Sequence, residues 1–219
     1  MNTSIMLEYL PLFLKALLLT LKIGWIGITL SAAIGFITAV IRFYKIPVLS
    51  RILGAYIELF RNTPLLVQLF FIYFGLPRVG ISLSAEAAGI IGLGLLGGAY
   101  MAETLRSGLE AVSKAQTESA LSLGMNRWQT MTRIILPEAL EMSIPGISAN
   151  IIFLLKETSV FSAISLMDLM FTAKDLIGLY YRTIESLALL VIFYLIILLP
   201  VSIAGSVLER RYGFAVSGN

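Results

Sequence analysis

The side chains best placed to do chemistry in this 219-residue chain are the charged and hydroxylated ones that interrupt its apolar stretches. Lys156, Glu157, Thr158 and Ser159 follow one another inside a hydrophobic run, and Glu103 stands in another. An ionisable group held in hydrocarbon costs at least about 2.5–3.5 kcal/mol, so one that persists there faces a cavity or a partner. Lys156 and Glu157 are adjacent, point in different directions on a helix and cannot form a helical pair with each other. Thr158 and Ser159 extend them into a polar break of the kind that lines ligand sites between membrane helices. Tyr100, near Glu103, and Asn150, six residues before Lys156, lie within reach along the same helices. Residues of both types are more often packing residues than ligands.

The composition excludes much other chemistry. There is no cysteine and no histidine, which removes disulfides, thiol nucleophiles, imidazole bases and the usual zinc or haem ligands. No G-x-x-x-x-G-K-[ST] run is present, so any nucleotide must be handled by another chain. A net charge of +3 is small for nucleic-acid binding. With 58% hydrophobic and 13% charged residues, most of the surface must face something apolar.

The elements that position these residues are read from hydropathy. A spanning helix needs about 20 mostly apolar residues. Five segments meet that requirement, roughly 12–41, 52–76, 86–112, 144–167 and 184–208, within one all-α membrane domain over 1–219. Lys15 and Lys22 place the opening of the first in the interface. Basic residues concentrate in cytoplasmic loops. Arg42, Lys45, Arg51 and Arg61, then Arg106, Lys114, Arg127 and Arg133, then Arg210 and Arg211, fall on one side of the five spans. The opposite loops hold Arg78, Lys174 and Arg182, offset by Glu86, Asp168 and Asp175. The N-terminus is therefore expected outside and the C-terminus inside. Gly89, Gly92, Gly94, Gly97 and Gly98 open the third span, and such small residues let a neighbouring helix approach closely. Trp25 is expected as an interior or interface anchor and Trp128 as a loop residue.

The link from 113 to 137 reads SKAQTESALSLGMNRWQTMTRIILP. Ser113 with Gln116 has the spacing of a capping box, Gly124 suits a left-handed residue that ends a helix, Asn126 can cap the next helix, and Pro137 marks where that one should stop. The expected unit is a short helix, a glycine turn and a second short helix, presented as a knob.

The order Glu118, Ser119, Ala120, Gly124, then Ile134, Leu136 and Pro137, resembles the EAA loop of the permeases of binding-protein-dependent ABC importers. Ser119 stands where an alanine is usual and is small enough to keep the packing. FRNTPLLVQLFFIYFGLP at 60–77, AYMAETLRSG at 99–108 and LLKETS at 154–159 are similar to signatures of the polar amino acid subgroup. Asn62 replaces a glycine there, and asparagine tolerates left-handed backbone angles, so a turn before Pro64 can survive.

The resemblance implies that the 113–137 loop is a coupling helix docking on an ATP-binding cassette ATPase subunit, which binds the ATP and Mg, so that no cofactor is expected in this chain. It also implies a second permease chain, the same or related, an extracytoplasmic amino-acid-binding protein, and alternating access for a polar amino acid, with lipid around the helices and no nucleic acid. A zwitterion needs an anion near its ammonium and donors near its carboxylate. Glu103 can supply the first, and Lys156 with the Thr158 and Ser159 hydroxyls or freed amides the second. A structural bridge from Glu103 to Lys156 is the alternative, and the two roles stay open on the sequence. The main alternative function is an ion-coupled secondary transporter or channel subunit, which needs no docking loop. A membrane-embedded enzyme is disfavoured by the missing His and Cys and by the lack of a paired Asp site.

Overall fold

The computed structural model describes residues 3–216, with side chains as far as Tyr212. Among them there are helices and no strand. Four unbroken helical rods are long and apolar enough to cross a membrane, and one bent pair makes a fifth candidate. The helices are α1 (Thr3–Phe43), α2 (Leu49–Arg61), α3 (Leu65–Phe70), α4 (Ala85–Ala111), α5 (Lys114–Ser122), α6 (Arg127–Thr130), α7 (Leu136–Glu157), α8 (Leu169–Tyr180) and α9 (Thr183–Val216). The first span begins well before the expected residue 12, with Pro11 inside it, and the last runs past 208.

The core is built on α4, which packs against α1 on one side and α7 on another. Its glycines make this possible: a Cβ at Gly94 would come 2.5 Å from Leu30 of α1. The approach also creates hydrogen bonds between helices. Ser31 Oγ, fully buried, donates to the Leu93 carbonyl at 3.0 Å, and Tyr56 Oη of α2 donates to the Leu95 carbonyl at 2.6 Å. Such bonds hold helices together where apolar burial gives little preference for one neighbour over lipid.

The expected span 52–76 is corrected. It is two helical pieces, Leu49–Arg61 and Leu65–Val79, bent by 105°. Arg51, Glu58 and Arg61 share one face of α2, while Tyr56 and Ile57 pack on the middle of α4 at Leu95, Ala99 and Ala102, so the first piece is an amphipathic helix set against the third span. Asn62 does not adopt the left-handed backbone; its φ is −99°, and its side-chain amide donates to the Glu58 carbonyl at 2.7 Å, closing the helix instead. Gln68 then fixes the corner by donating to the Phe60 and Thr63 carbonyls, each at 3.0 Å.

Pro137 does not end a helix. A rod runs from Arg127 to Ile164, so the second helix of the 113–137 link and the fourth span are continuous. A wide π-turn over Met131–Ile135 precedes the proline and accommodates its missing N–H and its ring. At the other end, α7 tightens into a 3₁₀ turn over Thr158–Ile164 and stops at Ser165, whose φ is 61°.

The link between the fourth and fifth spans is not simply a loop around Asp168 and Asp175. It contains α8, folded back on α1, where the Leu169 amide donates to the buried Thr20 hydroxyl at 3.2 Å. Asp168 caps α8 by accepting from the Phe171 amide at 2.8 Å and is fully buried. Burial raises its carboxyl to about 7, against the smaller lowering effects of nearby backbone amides and Lys174. A folded pKa above the ordinary 3.8 means that the group favours the fold most at low pH, and that this contribution falls away as pH rises from about 4 through 7. Asp168→Asn keeps the capping oxygen without the charge. The purified variant should melt near wild type at pH 4.5 but higher at pH 8, by about 2 kcal/mol or roughly 4–8 °C. A difference that stays constant with pH would remove Asp168 from this role.

Candidate functional site

The 113–137 link owes its shape to two local devices and one tie to the long rod. Gly124 has φ 81° and closes α5 with the two bonds of a Schellman end: its amide donates to the Leu121 carbonyl at 3.0 Å and that of Met125 to the Ala120 carbonyl at 3.1 Å. Asn126 and Gln129 form a reciprocal capping box, both bonds at 2.9 Å. The Ser113 and Gln116 box is not made; Ser113 occupies the capping position without a side-chain bond, and Gln116 donates instead to Glu138 Oε1 of α7 at 3.0 Å, lashing α5 to the long rod. Ala120 is buried, whereas Glu118, Ser119, Gly124 and Pro137 are exposed and Ile134 and Leu136 half-buried. The small buried alanine lets the knob rest closely on the chain, and its outer face mixes polar residues with the exposed Leu121 and Leu123. Trp128, 73% exposed, stands on it.

Glu103 lies eight residues before the end of α4, about 12 Å from it, and not at mid-span. Its carboxylate is held by Arg42 of α1 and by Arg106 Nη2 at 2.9 Å. Arg106 in turn pairs with Glu110 at 2.7 Å. Lys156 is exposed and takes no part, so the Glu103 to Lys156 bridge, the alternative to a ligand role, is not formed. The reason is reach along the chain's own fold: Arg42 ends α1 beside Glu103 and Arg106 lies one turn further along α4, while the Lys156 side chain is exposed.

Arg61, which sequence reasoning assigned only to the topology count, is the third arginine of this group. Its Nη1 is 3.8 Å from Glu103 Oε2, too far for a hydrogen bond, and its guanidinium lies 5.2 Å above the Tyr100 ring. Its position before the Asn62–Pro64 corner, at the end of the polar stripe of α2, is the sequence signal that could have found it. The corner thrusts Arg61 between two cavities. One, about 510 Å³, is lined by Glu103, Thr104, Arg106 and Ser143. The other, about 360 Å³, is lined by Thr63, Tyr100, Phe153 and Glu157. Arg61 lines both.

The remaining expected site residues divide. Glu157 is half-buried in the second cavity and has no ion-pair partner among the described residues. Tyr100 packs at a tilt against Phe153 with ring centres 5.1 Å apart and forms a wall of that cavity. Asn150 donates to Thr104 Oγ1 at 2.9 Å and ties α7 to α4. The Thr158 hydroxyl is fully buried and donates to the Leu155 carbonyl at 2.7 Å, and Ser159 accepts from Ser162 through its carbonyl. The structure thus gathers Arg61, Tyr100 and Glu157, engages Glu103, Asn150 and Thr158 within the helix packing, and turns Lys156 outward.

A bent second span, a glycine-packed third, and a knob between the third and fourth form the framework of this site. The sequence signature of the binding-protein-dependent transport system inner membrane component matches residues 31–214, most of the chain. The chain belongs to that family. Among relatives of this inner membrane component, a probable glutamine ABC transporter permease protein of Bacillus subtilis (strain 168) is 39% identical over 171 residues, covering 78% of each chain. A probable amino-acid ABC transporter permease protein of Vibrio harveyi is 36% identical over 192 residues, covering 86% of each. A crystal structure of an amino acid ABC transporter with histidines matches with a TM-score of 0.89 and 34% identity, over 96% of this chain and 99% of that one.

Proposed function

We propose that this permease carries a polar amino acid across the bacterial cytoplasmic membrane by alternating access, as the transmembrane subunit of an ABC importer whose ATPase is a separate chain. The amino acid reading is supported by the two permease relatives and the solved transporter. The N-terminus lies outside and the C-terminus in the cytoplasm, as the clustering of basic residues on the 113–137 side favours. The complex pairs this chain with a second permease, two ATPases and an extracytoplasmic binding protein.

The observation that carries the substrate assignment is Arg61 loosely tethered between two cavities, with Glu157, without an ion-pair partner among the described residues, also lining one of them. Arg61 accepts the substrate carboxylate as a forked donor, Glu157 faces its ammonium, and Tyr100 forms the wall between. Glu103, already satisfied by Arg42 and Arg106, positions the arginines and does not need the ligand.

The test is uptake of labelled amino acids into vesicles holding the permease with its copurified ATPase and binding protein. Uptake should require internal ATP. Uptake by the permease alone, driven by an ion gradient, would establish the secondary-transporter alternative instead. The coupling role is tested at Gly124. A β-branched side chain at φ 81° costs roughly 1–2 kcal/mol and unwinds the Schellman end. Gly124→Val should therefore lose ATPase association while inserting normally, and normal transport by that variant would dismiss the docking assignment.

A further inference from the structure

Where α1 and α4 end and α5 and α6 begin, the chain encloses a cavity of about 590 Å³ that shares no lining residue with the two around Arg61. Its floor is apolar. Leu109, Val112, Met131 and Ile135 are buried members of one cluster, with Phe43 packed on them. Its rim carries Lys45, Lys114 and Arg127, all exposed and none in a salt bridge among the described residues. Of the two carboxylates on the rim, Glu110 is taken by Arg106 and Glu118 is unpaired. Three free cations against one free carboxylate leave the mouth positive.

A soluble anion has no use for that floor, and an apolar peptide has none for that rim. An amphiphile with an anionic head and a hydrocarbon tail satisfies both, and the inner leaflet supplies one at this level, where the first and third spans leave the membrane. We propose that this cavity binds one anionic phospholipid of the inner leaflet, its phosphate among Lys45, Lys114 and Arg127 and the start of an acyl chain over Phe43 and Val112. The placement in the inner leaflet rests on the orientation given under Proposed function. The lipid bridges the end of α1 to α5, because Lys45 follows the first and Lys114 opens the second. Occupancy therefore braces the coupling helix along its Thr117, Glu118 and Leu121 side and makes the docking strength depend on membrane charge.

The test uses the full-length permease copurified with its ATPase in detergent, titrated with phosphatidylglycerol or phosphatidylcholine of identical chains and read by native mass spectrometry. One phosphatidylglycerol per permease chain should be retained and phosphatidylcholine should not. Lys45→Gln should weaken retention about fivefold and Lys45→Gln with Arg127→Gln about 25-fold, each basic residue contributing about a factor of five. Val112→Phe, which fills the floor without altering charge, should abolish it. Equal retention of the two lipids, or displacement by glycerol phosphate alone, would overturn the proposal, the latter in favour of a free-anion site. Loss of ATPase from Lys45→Gln at every lipid concentration would assign the cavity to the ATPase surface and overturn it too. Lipid retention in detergent does not depend on transport, so failure of the import reading would appear only in the vesicle assay.

Discussion

Arg61→Gln is expected to weaken the apparent affinity for the transported amino acid by roughly 10- to 100-fold while leaving the melting of the ligand-free complex almost unchanged. The affinity loss corresponds to a charge-assisted hydrogen bond, about 1.5–3 kcal/mol. The stability should hold because Arg61 gives the fold little: its nearest carboxylate contact is 3.8 Å, its side chain is 38% exposed, and pairs of that kind are worth about 0–1 kcal/mol. Glu103→Gln makes the informative contrast. Removing that charge leaves the Arg42 guanidinium, about a quarter exposed, without a carboxylate and Arg106 with Glu110 alone, so the complex should melt lower with or without substrate. Arg61→Lys keeps the charge but loses the fork and should recover only part of the affinity. If Arg61→Gln leaves transport unchanged, or melts as low as Glu103→Gln, Arg61 belongs to the structural ion-pair group and the carboxylate site lies elsewhere.

Much of this architecture is legible in the sequence because its signals are local. Gly124 and Asn126 act through bonds to residues within five positions, and the glycines of α4 announce close packing without naming the neighbour. What escapes is decided by contacts between distant residues or by a pattern that hydropathy averages away. The corner at residues 62–64 lies inside a run that averages as apolar, so hydropathy shows one straight span where there are two helical pieces bent by 105°. Glu103 meets Arg42 across 61 positions, a pairing no spacing rule reaches, whereas Lys156 looked the natural partner for being the cation inside another span. Asp168 reads as a loop acid until α8 folds back on α1 and buries it. The Ser113 and Gln116 spacing was satisfied in sequence but lost in competition, since Glu138 offers Gln116 a partner that also ties two helices together.

Gly97→Leu is expected to abolish the folded permease, and it probes the packing on which every site residue depends. A Cβ at residue 97 would overlap Ser31 Oγ of α1 and lie 2.6 Å from Leu154 Cδ1 of α7, so the side chain cannot be admitted by moving one neighbour. Retreat of α1 would break the Ser31 bond to the Leu93 carbonyl, and retreat of α7 would carry with it the Asn150 bond to Thr104. Overpacking alone costs about 1–3 kcal/mol, and each buried group left unsatisfied adds about 1–3 kcal/mol. That total approaches the net stability of a domain, about 5–15 kcal/mol. Gly54 of α2 supplies the control, since nothing lies within 4 Å of a Cβ there, and Gly54→Ala should be neutral or gain up to about 1 kcal/mol from helix propensity. The measurement is the elution profile and melting of detergent extracts. Gly97→Leu that elutes as a sharp, native-sized peak with wild-type melting would show that α1 and α7 do not both press on α4 at this residue. Gly97→Leu combined with Ser31→Gly and Leu154→Ala should recover part of the peak, because those two changes remove the atoms the new side chain would strike.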